Sequence, residues 1–109
     1  MIQITEITNE PKQKHVLTIP GYDKAAVYLE FKPNQNAWFL SIEWQTFKTY
    51  NIRITKNYNM LRQFKNIIPF GVFVDTESGQ DPMLFDSFSS GEAGFYLLST
   101  SDVLDIEAA

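Results

Sequence analysis

The chain contains no cysteine. Disulfides and all thiol chemistry, from nucleophilic catalysis to thiolate metal ligation, are thereby excluded, whereas the compartment is left open, because a cysteine-free protein suits any redox environment. Histidine is almost as scarce, with His15 as the sole representative. A Ser-His-Asp arrangement would have to use it as the base, and no G-x-S-x-G elbow marks a nucleophile for it to serve. Zinc sites combine several His or Cys ligands, so a single imidazole does not suggest one. The five glycines are scattered, and no glycine-rich loop cradles a phosphate. No apolar run approaches the roughly 20 residues that cross a bilayer. The opening Met1-Ile2-Gln3-Ile4-Thr5-Glu6-Ile7 alternates and lacks the basic-then-apolar order of a secretory signal. The chain therefore reads as a complete translation product expected in the cytoplasm.

Positive charge is also in short supply. Nine Lys and Arg stand against 13 Asp and Glu, for a net charge of -4. This disfavours a general nucleic-acid binder, which neutralises phosphates with clustered Lys and Arg. Arg53, Lys56, Arg62 and Lys65 form one local basic group, read as a solvated face. Asp75, Glu77 and Asp81 occupy positions one, three and seven of a calcium-type loop, but such a loop wants Asp or Asn at five, Gly at six and Glu at twelve. Those positions hold Gly79, Gln80 and Asp86, so residues 75–86 read as a solvated acidic loop. No carboxylate pair stands in an apolar surround of the kind that tunes a glycosidase acid. Neither an enzyme nor a cofactor or metal is expected.

Aromatics are what the chain has in plenty: nine Phe, five Tyr and two Trp among 109 residues. Each buries a large area, so one domain spanning residues 1–109 can build an adequate core without a metal or disulfide staple.

Period-two alternation of apolar and polar residues dominates the pattern. Ile2 and Ile4 suggest a first strand, and residues 12–19 a second with Leu17 and Ile19 on one face. Pro20-Gly21 marks a turn. In residues 24–31, Ala25, Val27, Leu29 and Phe31 share a face; in residues 37–44, Trp38, Leu40, Ile42 and Trp44 do. The Pro33-Asn34-Gln35-Asn36 turn between them, with Asn tolerant of the left-handed conformation, makes this an antiparallel hairpin. A bend at residues 45–47 leads to a strand over residues 49–55, with Tyr50, Ile52 and Ile54 opposed to Asn51, Arg53 and Thr55. Residues 58–64 form the one predicted helix, with Met60, Leu61 and Phe64 on its inner face and Asn57 or Asn59 as its cap. Residues 67–74 read as a buried strand, 77–82 and 89–92 as loops, 84–88 as a short extended or single-turn segment, 94–99 as a strand and 103–106 as a weaker last strand. The expected fold is all-β: a small antiparallel barrel or strongly twisted sandwich with one short helix.

From Asn34 to Leu98, about three-fifths of the chain, a further pattern is present. Asn34-Gln35-Asn36-Ala37-Trp38-Phe39-Leu40-Ser41-Ile42 resembles the N-x-x-x-W-x-L-x-I centre of the cyanophage-type baseplate plug proteins, a small tail-phage family. Asn51-Ile52-Arg53-Ile54 followed by Asn59-Met60-Leu61 is similar to that family's strand and its N-x-L entry to a helical turn. Ile68-Pro69-Phe70-Gly71-Val72-Phe73-Val74-Asp75 resembles its apolar-P-x-G step into a strand ending in Asp. Gly79-Gln80-Asp81-Pro82 and Phe95-Tyr96-Leu97-Leu98 resemble its D-P loop and closing strand. The resemblance implies a structural protein of a phage or prophage tail baseplate, at the hub or plug, cytoplasmic in the host before assembly and then part of the virion. It implies no active site, and contacts with hub or tube proteins or with copies of itself.

Two groups of residues are candidates for contact. The aromatic set Trp38, Trp44 and Tyr50, with Phe39 and Phe47, offers either packing or a face that stacks oligonucleotide bases; Glu30 and Glu43 lie among Lys32 and Lys48, so the basic interleaving such a face needs is absent. A small β-barrel ligand- or oligonucleotide-binding module is the alternative function. The loop set is Asp75, Gly79, Asp81 and Pro82, expected together with residues 89–92 near a partner. The core anchors are Trp38, Leu40, Ile42, Ile52, Ile54, Phe73 and Leu97. Leu40→Ala is expected to cost roughly 2–5 kcal/mol of stability, and an unchanged denaturation midpoint would show that the core face is misassigned.

Overall fold

The alternating runs around the Asn-rich turn form the central hairpin of a computed structural model that describes residues 2–19, 21–64, 67–84 and 86–108. Strands β1 (Ile2–Gln3), β2 (Lys12–Leu17), β3 (Ala25–Lys32), β4 (Ala37–Trp44), β5 (Phe47–Arg53), β6 (Gly71–Thr76) and β7 (Ala93–Leu98) precede one α-helix, α1 (Thr100–Ala108). They build two antiparallel sheets, a four-stranded meander β2-β3-β4-β5 and a three-stranded sheet β1-β7-β6. The sheets do not close on each other, so of the two expected architectures the twisted sandwich is the one adopted.

The meander follows from local chemistry. Between β3 and β4, Pro33–Gln35 forms one 3-10 turn and Asn36 takes the left-handed conformation with φ 48°, where an Asn side chain lowers the steric cost. Trp44 then pairs directly with Phe47 across a two-residue connection in which Gln45 is left-handed, φ 53°. The inward rows Ala25, Val27, Leu29, Phe31 and Trp38, Leu40, Ile42, Trp44 are all buried, as the alternation predicted.

The β5 prediction needs correction in phase. Leu40 pairs with Ile52 but Ile42 pairs with Thr49, so two residues of β5, Tyr50 and Asn51, oppose Ser41 alone. This bulge has Asn51 at φ 57° with its N–H donating to Ser41 Oγ at 3.1 Å. An extra residue turns the following side chains to the other face. Tyr50 therefore points outward, whereas Ile52 and Ile54 remain on the core side, half-buried and buried respectively.

Inner rows from the smaller sheet (Val72, Val74, Ala93, Phe95, Leu97) meet those of the larger in a single cluster. Trp38 is fully buried between Phe31 and Phe88, at 5.5 Å from each ring, and its Nε1 donates to the Leu84 carbonyl at 2.9 Å. Trp44 lies edge-on to Phe70 and Tyr22, its Nε1 donating to the Asp23 carbonyl at 3.0 Å. Each indole thus buries a large area while satisfying its one donor.

Three local predictions are overturned. Residues 58–64 do not form an α-helix; only Arg62–Phe64 makes a 3-10 turn. The N–H groups of this segment bond instead to the edge of β6: Asn57 N to Val74 O (3.0 Å) and Met60 N to Val72 O (2.7 Å), with Val74 N donating back to Asn57 O at 3.0 Å. Asn side chains supply the remaining partners, because a short amide competes effectively with helix hydrogen bonding. Asn59 Oδ1 accepts from Leu61 N at 3.0 Å and from Val72 N at 3.2 Å, and Asn57 Oδ1 from Asn59 N at 3.1 Å. Met60 and Leu61 still reach the core, and Phe64 packs edge-on against Phe47 at 5.0 Å.

The helix lies elsewhere, over the predicted last strand at residues 103–106. Ser99 and Asp102 cap it reciprocally: Asp102 N donates to Ser99 Oγ at 3.3 Å and Ser99 N to Asp102 Oδ2 at 3.0 Å. This is the capping-box geometry. The predicted strand over residues 67–74 begins only at Gly71, with Ile67 exposed and Ile68 and Phe70 buried in the approach. Phe73, expected in the core, faces outward and is half-buried. Residues 86–91 turn back through Ser90 N to Asp86 O (2.8 Å) and Gly91 N to Phe88 O (3.3 Å), the single-turn alternative for this stretch.

Gly71 is required by the Asn59 clamp. A Cβ at this position would stand 2.5 Å from Asn59 Oδ1. Gly71→Ala is expected to lower stability by about 1–3 kcal/mol, and to cost less in an Asn59→Ala background, where the obstructing amide is gone. Equal costs in both backgrounds in a double-mutant denaturation cycle would show that the two residues do not compete for the same space.

Candidate functional site

The segment that covers the β6 edge also creates the most distinctive exposed surface. Because Asn57 and Met60 are tied to β6, Tyr58 is turned outward, 73% exposed, over the solvent face of the smaller sheet. Its ring lies parallel to that of Phe73, interplanar angle 5° and centroid separation 5.8 Å. Phe73 pairs across the sheet with Tyr96, and their rings stack at 5.4 Å and 29°. Gly94, two residues before Tyr96, leaves room for that ring: a Cβ there would lie 2.7 Å from Tyr96 Cε1. The result is a ladder of three rings, Tyr58–Phe73–Tyr96, on the outer face of β6 and β7.

The predicted loop residues frame one end of this ladder. Asp75 follows Phe73 on the same face, and Lys56 Nζ stands 3.6 Å from its Oδ1. That oxygen also accepts from Thr76 N at 3.0 Å. Asp81 Oδ1 accepts from Lys56 N at 2.9 Å, tying the 77–82 loop to the strand-like segment. The loop is closed by Thr76 Oγ1 donating to Gln80 O at 2.7 Å and turns at Gly79, φ +78°, and Pro82 at its end is buried. Lys56, Asn57, Tyr58, Phe73 and Asp75 line a shallow groove of about 220 Å³.

Asp75, Gly79, Asp81 and Pro82 are thus brought together, whereas Trp38 and Trp44 are core pegs and Tyr50 lies on the opposite side, on the outer face of the larger sheet. There Tyr50 Oη donates to Glu43 Oε2 at 2.9 Å and Tyr28 Oη to Oε1 at 3.2 Å. Lys14 lies over the Tyr28 ring at 5.6 Å and Lys32 over Phe39 at 4.5 Å. The Tyr50 and Tyr28 hydrogen bonds hold the Glu43 carboxyl below the usual carboxylate range, with a smaller contribution from Lys48 and Lys14. The same carboxylate raises the Tyr50 phenol above the ordinary tyrosine value.

His15 shares a 2.7 Å hydrogen bond with Gln13 Oε1 on β2. Of the basic group, Arg53 is exposed on β5 and Lys56 belongs to the groove, while Lys65 lies outside the described residues. Among the described residues no group of three or more His, Asp or Glu is placed to hold a metal, and no helix is long and apolar enough to cross a membrane. Tyr58, Phe73 and Tyr96 were not expected at a surface. The available signal was the alternation itself: Val72 and Val74 inward set Phe73 and Asp75 outward, and Phe95 and Leu97 inward set Gly94 and Tyr96 outward. No family model matches this chain, and comparison with curated proteins finds no relative.

Tyr50 is expected to titrate above a free tyrosine, and Glu43→Gln to bring it back toward the ordinary value, read from phenolate absorbance. The stabilisation linked to this phenol is fully present below the unfolded tyrosine value and is lost as pH rises through the folded one. For Glu43 it is present above the unfolded carboxyl value and lost as pH falls through the depressed folded one. A Tyr50 titration indifferent to Glu43→Gln would contradict the hydrogen bond.

Proposed function

We propose that the chain is a structural subunit of a phage or prophage tail baseplate, acting through protein–protein contacts in virion assembly. One observation carries the contact part of this reading: Tyr58 and its two stacked neighbours stand on the outer face of a sheet whose β6 edge is already covered. Tyr is favoured at protein interfaces because it combines a large apolar body with a polar tip and loses little rotamer freedom. The Asp75–Pro82 loop forms the polar rim that such an aromatic centre needs. The ordered set of motifs between Asn34 and Leu98, which resembles the baseplate plug proteins, supports the tail as the setting. The oligonucleotide-module alternative has less support, because Trp38 and Trp44, two of its stacking rings, are buried.

Mass spectrometry of purified tailed particles is expected to find this chain in fixed ratio to the tube protein. The double variant Tyr58→Ser, Tyr96→Ser is expected to fold and yet be missing from particles. Particles lacking the unaltered chain, or genes flanking it that encode no tube, sheath or wedge protein, would contradict the assignment.

A further inference from the structure

The geometry points to an arginine side chain of the partner protein as the occupant of the groove beside Tyr58, its guanidinium stacked on the Tyr58 ring and paired with Asp75. The inference rests on the docking reading above and specifies its chemistry. The ladder ends at Tyr58: its ring lies parallel to that of Phe73 in an offset stack, centroids 5.8 Å apart, and the residue is 73% exposed. A planar group placed there continues the stack. The carboxylate of Asp75 borders the same groove. Its Oδ1 is engaged by Thr76 N and, at 3.6 Å, by Lys56, whereas Oδ2 accepts no hydrogen bond among the described residues. The Lys56–Asp75 pair is long and both side chains are exposed, so it is screened and easily exchanged for a better partner.

Charge complementarity selects the occupant. Asp75, Glu77 and Asp81 gather on β6 and its loop, and Glu92 joins them through Ser78 Oγ at 2.7 Å. Lys56 is the cation of the groove lining. The face therefore favours a cation, and the two surfaces it offers, a ring and a carboxylate edge, are the ones a guanidinium satisfies together. Arginine is planar, weakly hydrated and forked, stacking on aromatics while donating two parallel hydrogen bonds to a carboxylate. A lysine ammonium is a strongly hydrated point charge and can use only one of those surfaces well.

The test is a ¹H–¹⁵N NMR titration of the full chain with a blocked Gly-Gly-Arg-Gly-Gly peptide and with matched peptides carrying lysine or citrulline instead. The expected result is a set of shifts confined to residues 56–58 and 73–75, with the arginine peptide binding at least about fivefold tighter than the lysine one. Citrulline, which keeps the plane and loses the charge, is expected to bind most weakly. Asp75→Asn and Tyr58→Leu should each weaken arginine binding about threefold to fivefold, while Tyr58→Phe retains it, each variant being checked for a native dispersed spectrum. Equal binding of arginine and lysine, equal binding of citrulline, or the same shifts caused by a β-1,4-linked glucose hexamer would each overturn the proposal, the last by identifying a carbohydrate platform. Loss of the arginine preference with Tyr58→Ser, Tyr96→Ser chains still excluded from particles defeats the anchor and leaves the docking face standing. A clear arginine preference in a chain that no tail particle contains supports the anchor and defeats the baseplate setting.

Discussion

One buried amide holds the aromatic face in place. Asn59 presents Oδ1 to two backbone donors, Leu61 N and Val72 N, and so substitutes for the strand that the edge of β6 lacks. An uncovered sheet edge is a template for unwanted pairing, and residues 57–61 remove that hazard without adding a regular element. The cost is visible at the same residue: Asn59 Nδ2 is buried with no hydrogen-bond partner. An unmet buried donor is destabilising by roughly 1–3 kcal/mol, so the clamp is retained against a penalty, and Gly71 is confined to a residue without a Cβ to admit it.

The consequences of the clamp extend in two directions. Inward, it delivers Met60 and Leu61 to the cluster that unites both sheets. Outward, it turns Tyr58 beside Phe73 and thereby builds the ladder. Interior and exterior rings are separated by the strand alternation: the indoles of Trp38 and Trp44 fill the interior and bond to loop carbonyls, while a different set of rings faces solvent. The pairing of β6 with β7 sets Phe73 directly opposite Tyr96 and so keeps those two rings in register.

Where two strands meet through a short turn, the sequence pattern was sufficient. The β3–β4 hairpin was legible because apolar residues recur every second position on both sides of Pro33-Asn34-Gln35-Asn36, and every inner position proved buried. Legibility ended where side chains replace backbone partners. Met60, Leu61 and Phe64 have helix-like spacing and are indeed apolar contacts, but Asn57 and Asn59 divert the backbone toward β6, a contact 13 to 17 residues distant that no local period encodes. The bulge at Asn51 had a similar cause: a single left-handed residue moved Tyr50 to the outer face. At the C-terminus a local signal is present in the sequence: Ser99 three residues before Asp102 is a capping pair and outweighs the alternation of Val103, Leu104 and Ile106. The loop over residues 77–82 is legible from composition, whereas its aromatic neighbours are not, because Phe73 lies within a near-continuous apolar run that reads as interior.

The central claim, that residues 57–61 lie along β6 and so create the aromatic face, is open to direct measurement by amide hydrogen exchange. The Val72 and Val74 N–H groups point at this segment and are bonded to Asn59 Oδ1 and the Asn57 carbonyl. The account predicts that both are protected to a degree comparable with amides at the centre of the β3–β4 hairpin. Exchange of Val72 and Val74 as fast as that of exposed loop amides would mean that the β6 edge is bare and that nothing holds Tyr58 over Phe73.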